Sequence, residues 1–266
     1  MARTVRVIAC LDVKDGQVVK GVKFQHLKDV GTPLTLAQYY SKHGADEVVV
    51  LDVAASREER PTDHRVVREV VENSTAPVSA GGGVKSVDDI QALLEMGART
   101  VFIGTAAYTD PGLVAGAVER FGSGVVGVSV DARRIVPGTE AFTEAESDGE
   151  ADLKFELMGA GGTEGLGVDA VEFAKEMAKE GAGTILLNSV DVDGTQGGFD
   201  LELVTAVAGA VDVPVIASGG AGKRADFVAA AQAGASGVLG ASVFHSGKIS
   251  IEGVKNALST AGFTTL

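Results

Sequence analysis

Two aspartates, each closing an apolar run, are the residues of this 266-residue chain best suited to moving protons. Asp12 ends RVIACLD, and Asp131 ends GVVGVSVD 119 positions later. Two carboxylates in one enclosed site need not share a pKa: the drier one keeps its proton and acts as general acid while the other works as base. Each such transfer contributes a factor of about 10² to 10⁴ in rate. A lone aspartate after a strand more often only caps the next turn. The repeated placement is what argues for chemistry.

A second kind of chemistry is written in glycine. The turn AGGGVK holds Gly81, Gly82 and Gly83, and ASGGAGK holds Ser218, Gly219, Gly220 and Gly222. Such turns leave backbone N–H groups uncovered. Further on, Gly104 with Thr105, and Ala241 with Ser242, open helical stretches whose N-termini favour anions. A charge-assisted hydrogen bond to a phosphate contributes about 1.5–3 kcal/mol, so two phosphates on one ligand can be held without basic side chains. Lys20 is a further candidate for a phosphate or an intermediate. Asp193, Gly194 and Thr195, in DVDGT, are better read as orienting hydroxyls than as a metal loop. Cys10, mid-strand, reads as a small core residue, and the four histidines show no metal-ligand spacing.

These residues need a frame. Short β-branched runs recur eight times, near 6–12, 47–52, 77–80, 100–103, 125–131, 184–188, 213–217 and 237–240, with amphipathic segments between them. Runs without period-two alternation suit parallel strands covered on both faces. Residues 76–107 are echoed by 213–243, so the expected fold class is α/β: a (β/α)8 TIM barrel built as an internally duplicated half-barrel, one domain over 1–266. An open doubly wound sheet explains the duplication less well. Letter matching pairs Asp52 with Asn188, an offset of 136, and Gly82 with Gly220, an offset of 138. Loops after strands 7 and 8 are the common barrel phosphate site, and duplication places a second after strands 3 and 4. Two long connections, 13–32 and 132–167, read as lids on the same face. The acidic part of the second, Glu140 to Asp152, reads equally as solvated surface.

The net charge of −13 argues against a nucleic-acid partner, which requires a basic footprint. One cysteine excludes a disulfide framework. No apolar run approaches the roughly 20 residues of a membrane span, and no signal peptide is visible, so a cytoplasmic protein is expected.

The stretches ACLDVKDGQVVKGVKF at 9–24, LNSVDVDGTQGGFD at 187–200 and VPVIASGGAGK at 213–223 resemble the cyclase subunits of imidazole glycerol phosphate synthase, from histidine biosynthesis. The resemblance runs from about residue 5 to 262. It implies a lyase acting on phosphoribulosyl-formimino aminoimidazole carboxamide ribotide, with a phosphate held at each end. Ammonia attacks the ketone carbon, an imidazole ring closes, and aminoimidazole carboxamide ribotide leaves. Asp12 and Asp131 would be the acid/base pair, with no metal or organic cofactor. It further implies a glutaminase subunit docked on the N-terminal face, sending ammonia through the barrel past a charged ring. Arg6 and Glu47 match that ring, whereas Thr100 and Thr184 stand where lysine and glutamate are expected. Ala54, Gly104 and Leu166 also replace polar residues of the expected substrate face. Alternatives are a divergent paralogue running a related ammonia-dependent cyclisation or amidation, the sister aldose–ketose isomerase, and a non-catalytic phosphate-binding barrel.

Overall fold

A computed structural model describes residues 2–22, 25–110, 112–136 and 153–266, without the side chains of residues 20–29. The acidic stretch from Glu140 to Asp152 lies outside the described residues. In chain order the strands are β1 (Arg6–Lys14), β2 (Gln17–Val22), β3 (Gln25–Gly31), β4 (Glu47–Asp52), β5 (Val78–Gly81), β6 (Val101–Ile103), β7 (Val126–Arg134), β8 (Phe155–Gly159), β9 (Glu164–Asp169), β10 (Thr184–Ser189), β11 (Val215–Ser218) and β12 (Gly237–Gly240). Eight of them pair in parallel in the order β1-β4-β5-β6-β7-β10-β11-β12. The contacts β12 to β1 and β7 to β10 close the ring. The expected (β/α)8 barrel is therefore present, and its strands lie within two or three residues of the runs read from sequence.

Helices α1 (Pro33–Lys42), α2 (His64–Asn73), α3 (Val87–Glu95), α4 (Thr105–Thr109), α5 (Gly112–Phe121), α6 (Ala170–Lys179), α7 (Leu201–Ala210), α8 (Arg224–Gln232), α9 (Ser242–His245) and α10 (Ile251–Thr260) clothe the ring. In α3, Ser86 caps the first turn by accepting from Asp89 N–H, Ile90 and Leu93 face inward, and Gly97 takes the left-handed conformation that ends the element.

Alternation along each strand divides the core in two. Ile8, Cys10, Val49, Phe102, Leu186, Ile216 and Leu239 point into the barrel, and their sequence neighbours pack outward on the helices. Both long connections fold back as antiparallel hairpins, β2/β3 on β1 and β8/β9 on β7. Their described parts extend the sheet beyond the C-terminal ends of β1 and β7.

From β4 onward the halves superpose at a uniform offset of 137. Ala80 faces Val101 as Ala217 faces Val238. Ser86 and Lys223 begin α3 and α8 with identical backbone angles, φ −146° and ψ 161°. Asp89 accepts from Lys85 N–H at 3.0 Å, and Asp226 from Gly222 N–H at 2.9 Å. The equivalences drawn from letters at 136 and 138 are each one residue out: Asn188 corresponds to Leu51, and Asp52 to Ser189.

Candidate active site at the C-terminal mouth

One cavity of about 390 Å³ occupies the C-terminal end of the barrel. Asp12 enters it from β1 and Asp131 from β7. Gly82, Gly83, Gly104 and Thr105 line one side, and Ser218, Gly219, Gly220, Ala241 and Ser242 the other. Asp193 and Gly194 reach in from the loop after β10. The structure thus gathers most of the residues singled out in the sequence. Thr195 is left out: it is exposed, and its hydroxyl donates back to Val192 O at 2.7 Å. Lys20 lies in β2, and its side chain falls outside the described residues.

The carboxylates differ in surroundings. Burial pushes Asp12 up to about 6; the Cys10 thiol, 3.3 Å from Oδ1, pulls the other way, and the Asp131 charge adds to the rise. Asp131 is also raised by burial, but Asn188 Nδ2 donates to its Oδ1 at 3.0 Å and favours the ionised form. Asp193 is pushed highest, to about 7, by burial and by the charges of Asp12 and Asp131. Three carboxylates therefore form one electrostatic group, in which one proton held near neutrality affects the others. Cys10 is more than filler, since its thiol is buried, kept protonated and aimed at Asp12. Cys10, Asn188 and the raised Asp193 were not singled out for this role in the sequence.

The glycine turns have a steric reason. Gly82 and Gly83 take φ +90° and +74°, and Gly219 and Gly220 take +85° and +96°. A Cβ on Gly82 would sit 2.2 Å from Asp52 O, and one on Gly220 2.1 Å from Gly198 O. Each turn therefore lies against the neighbouring strand's loop while lining the cavity. The helices after β6 and β12 span only five and four residues, too short for a full macrodipole.

Asp52 organises the wall beside the first cradle. Its carboxylate, 1% exposed, accepts Arg60 Nη1 at 2.6 Å and Nη2 at 2.9 Å together with the N–H groups of Ala54, Ala55 and Asp63. Ala54 is accordingly buried behind the wall, and Leu166 packs against the outer core beside Gly159. Neither faces the cavity. Of the three expected departures at the substrate, only Gly104 lines it.

At the opposite end of the barrel, Arg6 ion-pairs with Glu47, and Ser79 donates to the same buried carboxylate. Thr100 is buried just before β6, and Thr184 is half-buried at the start of β10. Between this layer and the mouth, the Phe102 ring packs over Gly127 of the adjacent strand: a Cβ there would lie 2.6 Å from it. Phe102, Leu186, Leu239 and Cys10 make the cavity floor, with Ile8, Val49 and Ile216 fully buried in the same inner cluster.

A parallel barrel with inward carboxylates between paired glycine turns at its C-terminal mouth defines a barrel enzyme acting on a small molecule. Residues 6–250 match the family model described as Histidine biosynthesis protein. The chain is 49% identical over 262 residues to the "Imidazole glycerol phosphate synthase subunit HisF" of Streptomyces griseus, covering 98% of both chains. Proteins of the same name from Bifidobacterium adolescentis and Thermobifida fusca are 47% and 49% identical, covering 99% of each chain. The chain belongs to this family of HisF subunits. No helix among the described residues is long and apolar enough to cross a membrane.

Proposed function

We propose that Asp12, Asp131 and Asp193 share the proton transfers of the ammonia-dependent cyclase reaction of histidine biosynthesis, the lyase activity that family membership gives this enzyme. The glycine turns hold the two phosphates of the ribotide substrate, one on each side of the mouth. Asp131, stabilised as a carboxylate by Asn188, takes a proton from the attacking ammonia. Asp12, with its weaker donor, supplies one to the ketone oxygen. Loss of water then gives an imine. Ring closure on the formimino carbon expels the carboxamide ribotide amine, whose nitrogen takes one proton from the ring-closing N–H and one from protonated Asp193. Asp12, ionised by its first transfer, removes the proton from the carbon beside the former ketone and so completes the imidazole, and the proton held by Asp131 returns to Asp193. The supporting observation is that all three carboxylates lie in one cavity between the two turns. Incubation with the bis-phosphorylated ribotide and an ammonium salt at alkaline pH tests it. Release of aminoimidazole carboxamide ribotide is expected, and no release removes the reading.

Pairing with a glutaminase subunit on the N-terminal face belongs to the same proposal. The Arg6–Glu47 pair supports it. In this reading ammonia enters past Arg6, Glu47, Thr100 and Thr184, the last two uncharged where the expected ring is charged. Co-purification with the glutaminase tests the docking.

A further inference from the structure

We propose that Asn188 is a positioning residue that breaks the twofold symmetry of the barrel, fixing Asp131 as the acceptor carboxylate and leaving Asp12 as the proton donor. This rests on the cyclase reading. Duplication supplies two aspartates in equivalent places, and equivalent surroundings would give them the same job. The cross-strand neighbours make them differ. Asp12 lies opposite Leu51 on β4, and Asp131 opposite Asn188 on β10. Leu51 offers no donor. Asn188, 6% exposed, puts Nδ2 at 3.0 Å from Asp131 Oδ1.

The amide also needs room. A Cβ on Gly219 would come within 2.8 Å of Asn188 Oδ1, so the glycine of the second cradle makes room for the amide that orients Asp131. The ionisable groups around Asp131 are Asp12 from β1 and Asp193 from the loop after β10; Lys85, Glu59 and Asp110 stand on the cavity wall, and Met158 on β8 is its apolar partner. Asn188 is the neutral donor among them. A hydrogen bond to the charged form holds a carboxylate's titration down. Asn188 supplies the side-chain hydrogen bond that lowers Asp131, so removing that donor must move it up.

Asn188→Leu copies the surroundings of Asp12 onto Asp131. With ammonium as nitrogen source, kcat should fall about 10- to 100-fold, and the acidic limb of the pH profile should move to higher pH, while KM for the ribotide changes less than about threefold. Asn188→Thr, which keeps a donor hydroxyl, should recover part of the rate. Leu51→Asn should pull the Asp12 limb down. An unmoved acidic limb, or KM rising in step with the loss of kcat, would overturn the proposal. Carbon-13 carboxyl titration of Asp131 by NMR decides the matter without turnover: its midpoint rises in Asn188→Leu if the proposal holds and stays in place if it does not. A wild-type enzyme without cyclase activity sinks the reaction assignment alone, since the titration still reports on Asn188.

Discussion

The Phe102 ring occupies the volume that a side chain at Gly127 would need, 2.6 Å from the position of its Cβ. Both residues face the barrel axis, on adjacent strands paired through this very position. Gly127→Ala should therefore destabilise the protein by about 1–3 kcal/mol, the usual range for overpacking a tight core. Combining it with Phe102→Ala should recover part of that loss in a denaturant-unfolding cycle. Simple additivity would show that the two do not compete for space.

The N-terminal layer bears on the nitrogen supply. With the glutaminase partner, unlabelled glutamine and nitrogen-15 ammonium in the bulk, the imidazole product should carry mainly glutamine nitrogen. Label in proportion to the bulk pool would contradict delivery from the N-terminal face.

Asp193 titrates about 7 in the folded state against about 4 for an unperturbed aspartate. A raised carboxyl favours the protonated folded form, so its burden is absent below about pH 4, grows from pH 4 to 7 and is complete above 7. Asp193→Asn, neutral throughout, should therefore gain stability over that window. Asp193 stands at the open mouth and is screened by solvent, so about 1–2 kcal/mol at pH 8 is expected, with no gain at pH 4. Thermal unfolding at the two pH values checks it, and activity should fall as stability rises.

The glycines of the cradles are not interchangeable. Gly82→Ala and Gly220→Ala each drive a Cβ into a backbone carbonyl, at 2.2 and 2.1 Å, from a positive φ. Both should raise the ribotide KM at least tenfold, or fail to fold. Gly104→Ala meets nothing within 4 Å at φ −98° and should bind substrate nearly as the wild type does. Isothermal titration with the bis-phosphorylated ribotide separates them.

Strand order and paired glycine turns were legible in the sequence, because buried parallel strands and left-handed turns constrain residue type strongly. Register was not. Matching Asp52 to Asn188 is a slip of one residue, and in a strand that turns a side chain to the opposite face. Asp52 points out to Arg60, while Asn188 points in to Asp131. Ala54 and Leu166 were misplaced for a similar reason, since loop letters do not say which face of a wall a residue covers. The two long connections hid hairpins because their strands mix charge with apolar residues. The Phe102 floor depends on a glycine 25 positions away, a pairing visible only once the strands are adjacent.

The most direct test compares Asp12→Asn and Asp131→Asn with the wild type in ammonium-driven single-turnover assays at saturating ribotide, alongside ribotide affinity. Each variant should lose about 10² to 10⁴ in rate with affinity nearly unchanged. Full turnover in either variant, or a loss of affinity equal to the loss of rate, would contradict the assignment of the pair to proton transfer.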